Sequence, residues 1–337
     1  MNSIHSKKQH IYYIDFLKFI GLVLIIFAHI NAPGWALAIR TFDVPLMVIV
    51  SSFLASKSYA KYENQGKFPI QYLIHRIKRL AVPTWIFLLL YFSLHFLFTK
   101  ELFSLKYYIS SFCLTRYGIG YVWVILIYIY SAILIPLFNK FKLSSKFIIS
   151  ILAIYILYET TCFLKLGENN ILIDTIFYYI IPYGCLTFLG YNYDSFSKKV
   201  IHILLITSFA LFIILAFIMW YIHGSPQSPS IAKYPPQLYY LSYGIFVSFL
   251  LLQFCKRYNL KIYKSKLVNY ISRHSLWIYL WHIITLKLYK ILNLPQIWYI
   301  EFVIILVSSL FITFVVNKLL DLIEKKRKYT FLSYLRG

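Results

Sequence analysis

Long apolar runs recur from one end of the chain to the other, parted by short stretches that carry most of the charge. About 20 apolar residues, rising 1.5 Å each as a helix, cover a hydrocarbon core of about 30 Å. On that measure the pattern predicts about ten membrane spans, near residues 12–33, 42–57, 81–99, 120–138, 147–164, 171–191, 200–222, 236–255, 268–290 and 297–317. No stretch is left for a separate soluble domain, so residues 1–337 read as a single all-α integral membrane bundle. Between the second and third spans, Tyr72, Leu73, Ile77 and Leu80 have the spacing of an amphipathic turn lying on the inner surface. The Pro- and Ser-rich "HGSPQSPSIAKYPPQ" breaks any helix and predicts an exposed outer loop. No internal repeat is visible, which argues against the inverted-repeat architecture of many transporters.

Composition supports this reading, with 60% hydrophobic and only 13% charged residues. A net charge of +23 in a soluble protein would point to nucleic acid. Here the basic residues instead follow the loops: 24 of the 34 fall on one side and 8 on the other, with Lys18 and Arg273 in the spans or at their edges. That asymmetry predicts both termini in the cytoplasm, with basic loops against anionic lipid and no nucleic-acid partner. Lys7, Lys8 and the "ALA" at 36–38 imitate a secretion signal, but Lys18 and His29 interrupt an apolar run too long for one, so the helix is expected to be retained. Cys113, Cys162, Cys185 and Cys255 show no metal spacing and no disulfide framework.

Ionisable side chains at membrane depth are costly, and they mark candidate sites. The first span, "YIDFLKFIGLVLIIFAHI", carries three. Lys18 and His29 are eleven residues apart, close to three turns, which sets them on one helix face roughly 16 Å apart. Asp15 lies one turn before Lys18 and can pair with it. The competing readings are a snorkelling Asp15–Lys18 pair and a hydrogen-bonded packing histidine. In "HRIKRLAVPTW", Arg76 and Arg79 fall one turn apart and offer two guanidinium forks to phosphate, or simply fix topology. In "ISRHSLWIYLWHIITL", Ser275, Tyr279 and His282 share a face at i, i+4 and i+7. Asp43 is near enough in depth to orient His29 as a general base, or is merely exposed at the outer interface.

Together these residues resemble acyltransferase family 3, membrane proteins that include O-acetyltransferases of bacterial surface polysaccharides. The resemblance covers most of the chain. A basic residue, ten further residues and a histidine stand as "KFIGLVLIIFAH", opened by Asp15. "VPLMVIVSSFL" matches the second-span motif, Arg76, Arg79 and Pro83 the Arg-x-x-Arg-proline motif, "YVWVIL" around Trp123 the fourth span, and "HSLWIYLWH" the late motif ending at His282. Three positions depart from the pattern. Lys18 stands where arginine is common, Ser52 where glycine is usual for close helix approach, and Asp43 where histidine is frequent.

The resemblance implies an acyl group, acetyl being the expected one, taken from cytoplasmic acyl-CoA and passed to a hydroxyl of a surface glycan or lipid-linked sugar. On that footing Lys18, Arg76 and Arg79 hold the donor's phosphates, and His29 is general base or transient acyl carrier. Trp123, Ser275, Tyr279 and His282 line the acceptor or arm path. The donor is a substrate, and no resident cofactor or metal is expected. The expected location is a cytoplasmic membrane, bacterial in origin. The rival class is an exporter or flippase of a lipid-linked sugar that uses the histidines as a proton relay.

Overall fold

The computed structural model of the chain describes residues 11–141, 143–166, 170–258, 260–326 and 332–336. It is all-helical, with no strand among the described residues. Helix α1 covers Tyr12–Phe27, α2 Gly34–Ile39, α3 Asp43–Asn64, α4 Pro69–Thr99, α5 Leu105–Phe112, α6 Trp123–Phe141 and α7 Ser145–Phe163. Helix α8, Tyr178–Tyr191, continues a π-turn at Ile173–Phe177. Then come α9 (Lys198–His223), α10 (Leu238–Arg257), α11 (Lys266–Arg273), α12 (Ser275–Ile291), α13 (Trp298–Lys326) and the short α14 (Leu332–Leu335).

Eight helical stretches among the described residues are long and apolar enough to cross a membrane, against the ten predicted. The remaining two predicted spans are the first and ninth, and both are cut short. Helix α1 has 16 residues and ends before His29. The ninth divides at His274 into α11 and the 17-residue α12.

Each interruption has an identifiable cause. Pro33 disfavours helix at the residue before it. The Asn31 amide, which a continuing helix would direct to Phe27, bonds instead to the Glu301 carboxylate of α13 at 3.2 Å. At the other break, the Ser272 carbonyl in the last turn of α11 accepts from Lys18 Nζ at 2.6 Å. The ring of His274 makes a 2.8 Å contact from Nδ1 to the Arg336 carbonyl. Side chains from distant helices thus satisfy backbone groups that an unbroken helix would satisfy itself.

Helix α3 is central, with α1, α6, α8 and α10 packed around it. A close approach is at Gly190 of α8, where a Cβ would meet the Ile49 carbonyl oxygen of α3 at 2.3 Å. Ser52 is itself fully buried. The close contact to α3 that a glycine at 52 would have allowed is therefore supplied from the partner helix. Outside this centre, α9 has a mean hydropathy of 2.8 over its most apolar window, yet buries only Ile201 and Ser208. A helix that is apolar all round and bare on most sides is suited to lipid rather than water.

The predicted surface turn at 72–80 and the third span form one continuous helix, α4, with Tyr72 fully buried. Pro83 lacks the amide that would bond the Arg79 carbonyl four residues back, so α4 has a built-in irregularity beside its arginine pair.

Candidate active site

Helices α1, α3, α4, α6 and α12 enclose a cavity of about 560 Å³, within the usual range for small-molecule sites. Six basic side chains line it: Lys18, Lys57, Lys61, Arg76, Arg79 and Arg273, against one acidic residue, Asp15. Ser275 and Tyr279 also face it. Of the residues singled out from the sequence, six therefore meet in one cavity: Asp15, Lys18, Arg76, Arg79, Ser275 and Tyr279.

Asp15 and Lys18 converge on the α11–α12 break, since the Ser272 hydroxyl donates to Asp15 Oδ1 at 2.5 Å and the Ser272 carbonyl accepts from Lys18. An ammonium has three donors, so Lys18 can brace the break and still offer N–H groups to the cavity. The guanidinium of Arg76 lies against the Tyr72 hydroxyl, and with five N–H donors it keeps others for the cavity that it lines.

The histidines lie beyond the cavity. His29 follows the end of α1 in a turn, its amide bonded to the Ile26 carbonyl at 3.0 Å. The two histidines meet: His29 Nδ1 and His282 Nε2 are 3.2 Å apart, with ring centroids at 5.1 Å. Counting protons fixes their roles. His282 Nδ1 contacts the Tyr279 carbonyl, which can only accept, so this nitrogen carries the proton. In the neutral ring His282 Nε2 is then an acceptor, and His29 Nδ1–H must donate to it. On this count His29 Nε2 carries the lone pair that a base requires, with the Ile25 carbonyl also within hydrogen-bond reach of the ring.

Tyr279 joins the two regions. It lines the cavity, its ring centroid lies 4.9 Å from that of His282, and its hydroxyl donates to the Tyr121 carbonyl. The ring of Tyr121 in turn sits edge-on to His29 at 4.9 Å.

Asp43 does not orient His29 as expected. Its carboxylate takes an ion pair from Arg40 at 2.6 Å and a bond from the Val44 amide at 2.8 Å, at the start of its own helix. Three residues back along a helical turn is within easy reach of a guanidinium, which a comparison of depths between separate helices overlooks. His282 occupies the place expected for Asp43. Trp123 lies away from the cavity, packed on Tyr179 and Tyr234 with ring centroids at 5.5 Å in both cases.

Residues the sequence reading passed over also meet here. Lys57 and Lys61 looked like ordinary loop-side charges, although their i, i+4 spacing could have shown a shared face. Glu301, 1% exposed, bonds the Asn31 amide two residues after His29. A lone carboxylate in an apolar helix was the available signal for it.

A family model for an acyltransferase domain matches residues 11–318. The chain belongs to acyltransferase family 3. No curated protein and no solved structure gives a match. Family membership makes the chain a multi-pass membrane acyltransferase, and the match runs over every described element from α1 into α13. For this acyltransferase the basic cavity and the histidine pair are the candidate reaction site, joined through Tyr279.

Proposed function

We propose that this acyltransferase takes an acyl group, acetyl being the simplest, from acyl-CoA held in the basic cavity and passes it to a hydroxyl of a surface glycan or lipid-linked sugar. One observation carries the reading: a cavity with six basic side chains and one acid is lined by a tyrosine that touches a histidine pair. The anionic phosphates of the donor suit the basic lining, with Arg76, Arg79 and Arg273 as forks and Lys18 and Lys61 as point charges, while Lys57 is shared with Asp194 at 2.5 Å. The positive-inside asymmetry of the loops supports a cytoplasmic position for that end, where acyl-CoA is found, and an outer position for the Pro- and Ser-rich loop. The cell membrane of a bacterium fits this arrangement.

In the proposed step, His29 Nε2 accepts the proton of the acceptor hydroxyl as its oxygen attacks the thioester carbonyl. The carbon–sulfur bond then breaks, and the proton passes from His29 to the departing thiolate, leaving an ester and free CoA. His282 holds His29 in the tautomer that makes this possible and takes no proton in the cycle.

The test uses purified full-length protein in lipid vesicles with labelled acetyl-CoA and a glycan acceptor. His29→Ala should abolish transfer while acetyl-CoA still binds. Retained transfer would remove His29 from the reaction, and absence of acetyl-CoA binding to the unaltered protein would remove the donor.

A further inference from the structure

A second polar cluster lies at the end of the bundle where α1 stops and α3 begins, outside the lining of the basic cavity. At its centre is Lys233, in the loop between α9 and α10, only 7% exposed. Its ammonium has no hydrogen bond or ion pair among the described residues and lies over the rings of Trp123 and Tyr234, at 5.9 and 5.5 Å. Trp123 packs against Tyr179 and Tyr183, at 5.5 and 6.2 Å. The hydroxyl of Tyr179 is buried with no hydrogen-bond partner among the described residues, and the buried hydroxyls of Tyr183 and Tyr240 have only each other. An unmet buried hydroxyl is costly, and an unpaired ammonium more so. An unmet hydroxyl and an unpaired ammonium around one aromatic cluster mark a place suited to a polar molecule.

The local charges limit what that molecule is. Arg40 pairs with Asp43 at 2.6 Å, and Arg116 pairs with Asp174 at 2.9 Å. Asp43 is within electrostatic reach of Lys233 but is already bonded to Arg40. With the two pairs cancelled, Lys233 leaves one positive charge to be met. Aromatic faces pack against the C–H faces of a pyranose, and phenols can donate to and accept from sugar hydroxyls. Tyr234, 46% exposed, stands at the rim and gives access from the loop side. The cluster adjoins the reaction centre, since Tyr121 touches His29 and Trp123 follows two residues later in the same segment. Lys233 and Arg40 are also within electrostatic reach of His29.

We infer that this cluster is the acceptor site, and that it selects a sugar bearing one anionic group, carboxylate or phosphate, held by Lys233 against Trp123 and the tyrosines. The inference rests on the acyl-transfer reading for its place in the reaction. Binding to the full-length protein in lipid nanodiscs is measured by calorimetry with methyl glucoside, methyl glucuronide and methyl glucoside 6-phosphate. At least one charged sugar should bind about tenfold more tightly than the neutral one, as expected for one charge-assisted contact. Whichever charged sugar binds better identifies the group. Lys233→Met should bring the affinity for the charged sugars down to that for the neutral one.

Equal affinities for all three sugars in the unaltered protein would overturn the inference whether or not the variant folds. So would a preference that survives in a folded Lys233→Met protein. If the charged sugars are preferred but acetyl moves from acetyl-CoA to none of them, the anionic-sugar site stands and the acyl-transfer reading falls. If transfer proceeds equally to charged and neutral sugars, the acyl-transfer reading stands and the inference falls.

Discussion

Replacing His282 with leucine removes the acceptor that holds the proton of His29 on Nδ1, at 3.2 Å, while keeping most of the side-chain volume. His282 is fully buried, so water has little access to replace it. Losing one neutral hydrogen bond costs about 1 kcal/mol, and leaving its partner unmet raises this to about 1–3 kcal/mol. If that difference falls on the transition state, kcat drops by roughly 5- to 150-fold. Removing a general base outright costs about 100- to 10,000-fold. His282→Leu should therefore lower kcat for acetyl transfer in lipid vesicles less than His29→Ala does, with KM for acetyl-CoA unchanged. His282→Gln, whose amide oxygen can accept from His29, should recover part of the loss. Because His282 acts through His29, the double variant should be no slower than His29→Ala alone. A double variant slower by the product of both effects would refute this positioning role and give His282 a part of its own in the reaction.

Other substitutions probe the remainder of the site. Arg76→Gln or Arg79→Gln should raise KM for acyl-CoA by about 10- to 100-fold, from loss of a charged hydrogen bond to phosphate, while kcat changes little; titration with acetyl-CoA checks this. Glu301→Ala should loosen the turn that carries His29 and lower kcat several-fold, and Glu301→Gln, which retains an acceptor for the Asn31 amide, should restore most of it. Gly190→Val would press side-chain atoms against the Ile49 carbonyl of α3, since even a Cβ lies 2.3 Å from that oxygen. It should lower the thermal unfolding midpoint in detergent markedly, by the overpacking cost of about 1–3 kcal/mol or more.

Much of the site was legible because the bilayer penalises polar side chains strongly enough for each to stand out against an apolar run. Lys18, Arg76, Arg79, Ser275 and Tyr279 were recoverable on that ground, and they do share a cavity. What escaped depended on contacts between distant segments. The breaks at His29 and His274 arise where Glu301 and Lys18 capture backbone groups about 270 and 254 residues away in sequence, respectively. Periodicity alone extended both helices straight through. It put His29 on the Lys18 stripe, whereas the histidine lies in a turn past the helix end. Asp43 was misjudged for a local reason, because Arg40 one turn earlier claims it. Lys233 looked like a loop charge, and only the folded chain shows it under aromatic rings.

The shortness of α1 and the placement of Tyr279 together bear on insulation. Sixteen residues span only about 24 Å, less than the roughly 30 Å of a hydrocarbon core. Beneath that thin point lies a hydrophilic cavity, so a wire of polar groups there would short-circuit the membrane potential. Tyr279 is positioned to interrupt the wire, because its hydroxyl is tied to the Tyr121 carbonyl and it lines the cavity while packing against His282. Vesicles carrying Tyr279→Ala should take up protons faster than those with the unaltered protein, as read by an entrapped pH dye, and equal uptake would place the seal elsewhere. On the proposed reading, acyl groups pass between two aqueous sides, so the same bundle has to be an electrical barrier as well as a catalyst, and Tyr279 stands where the two demands meet.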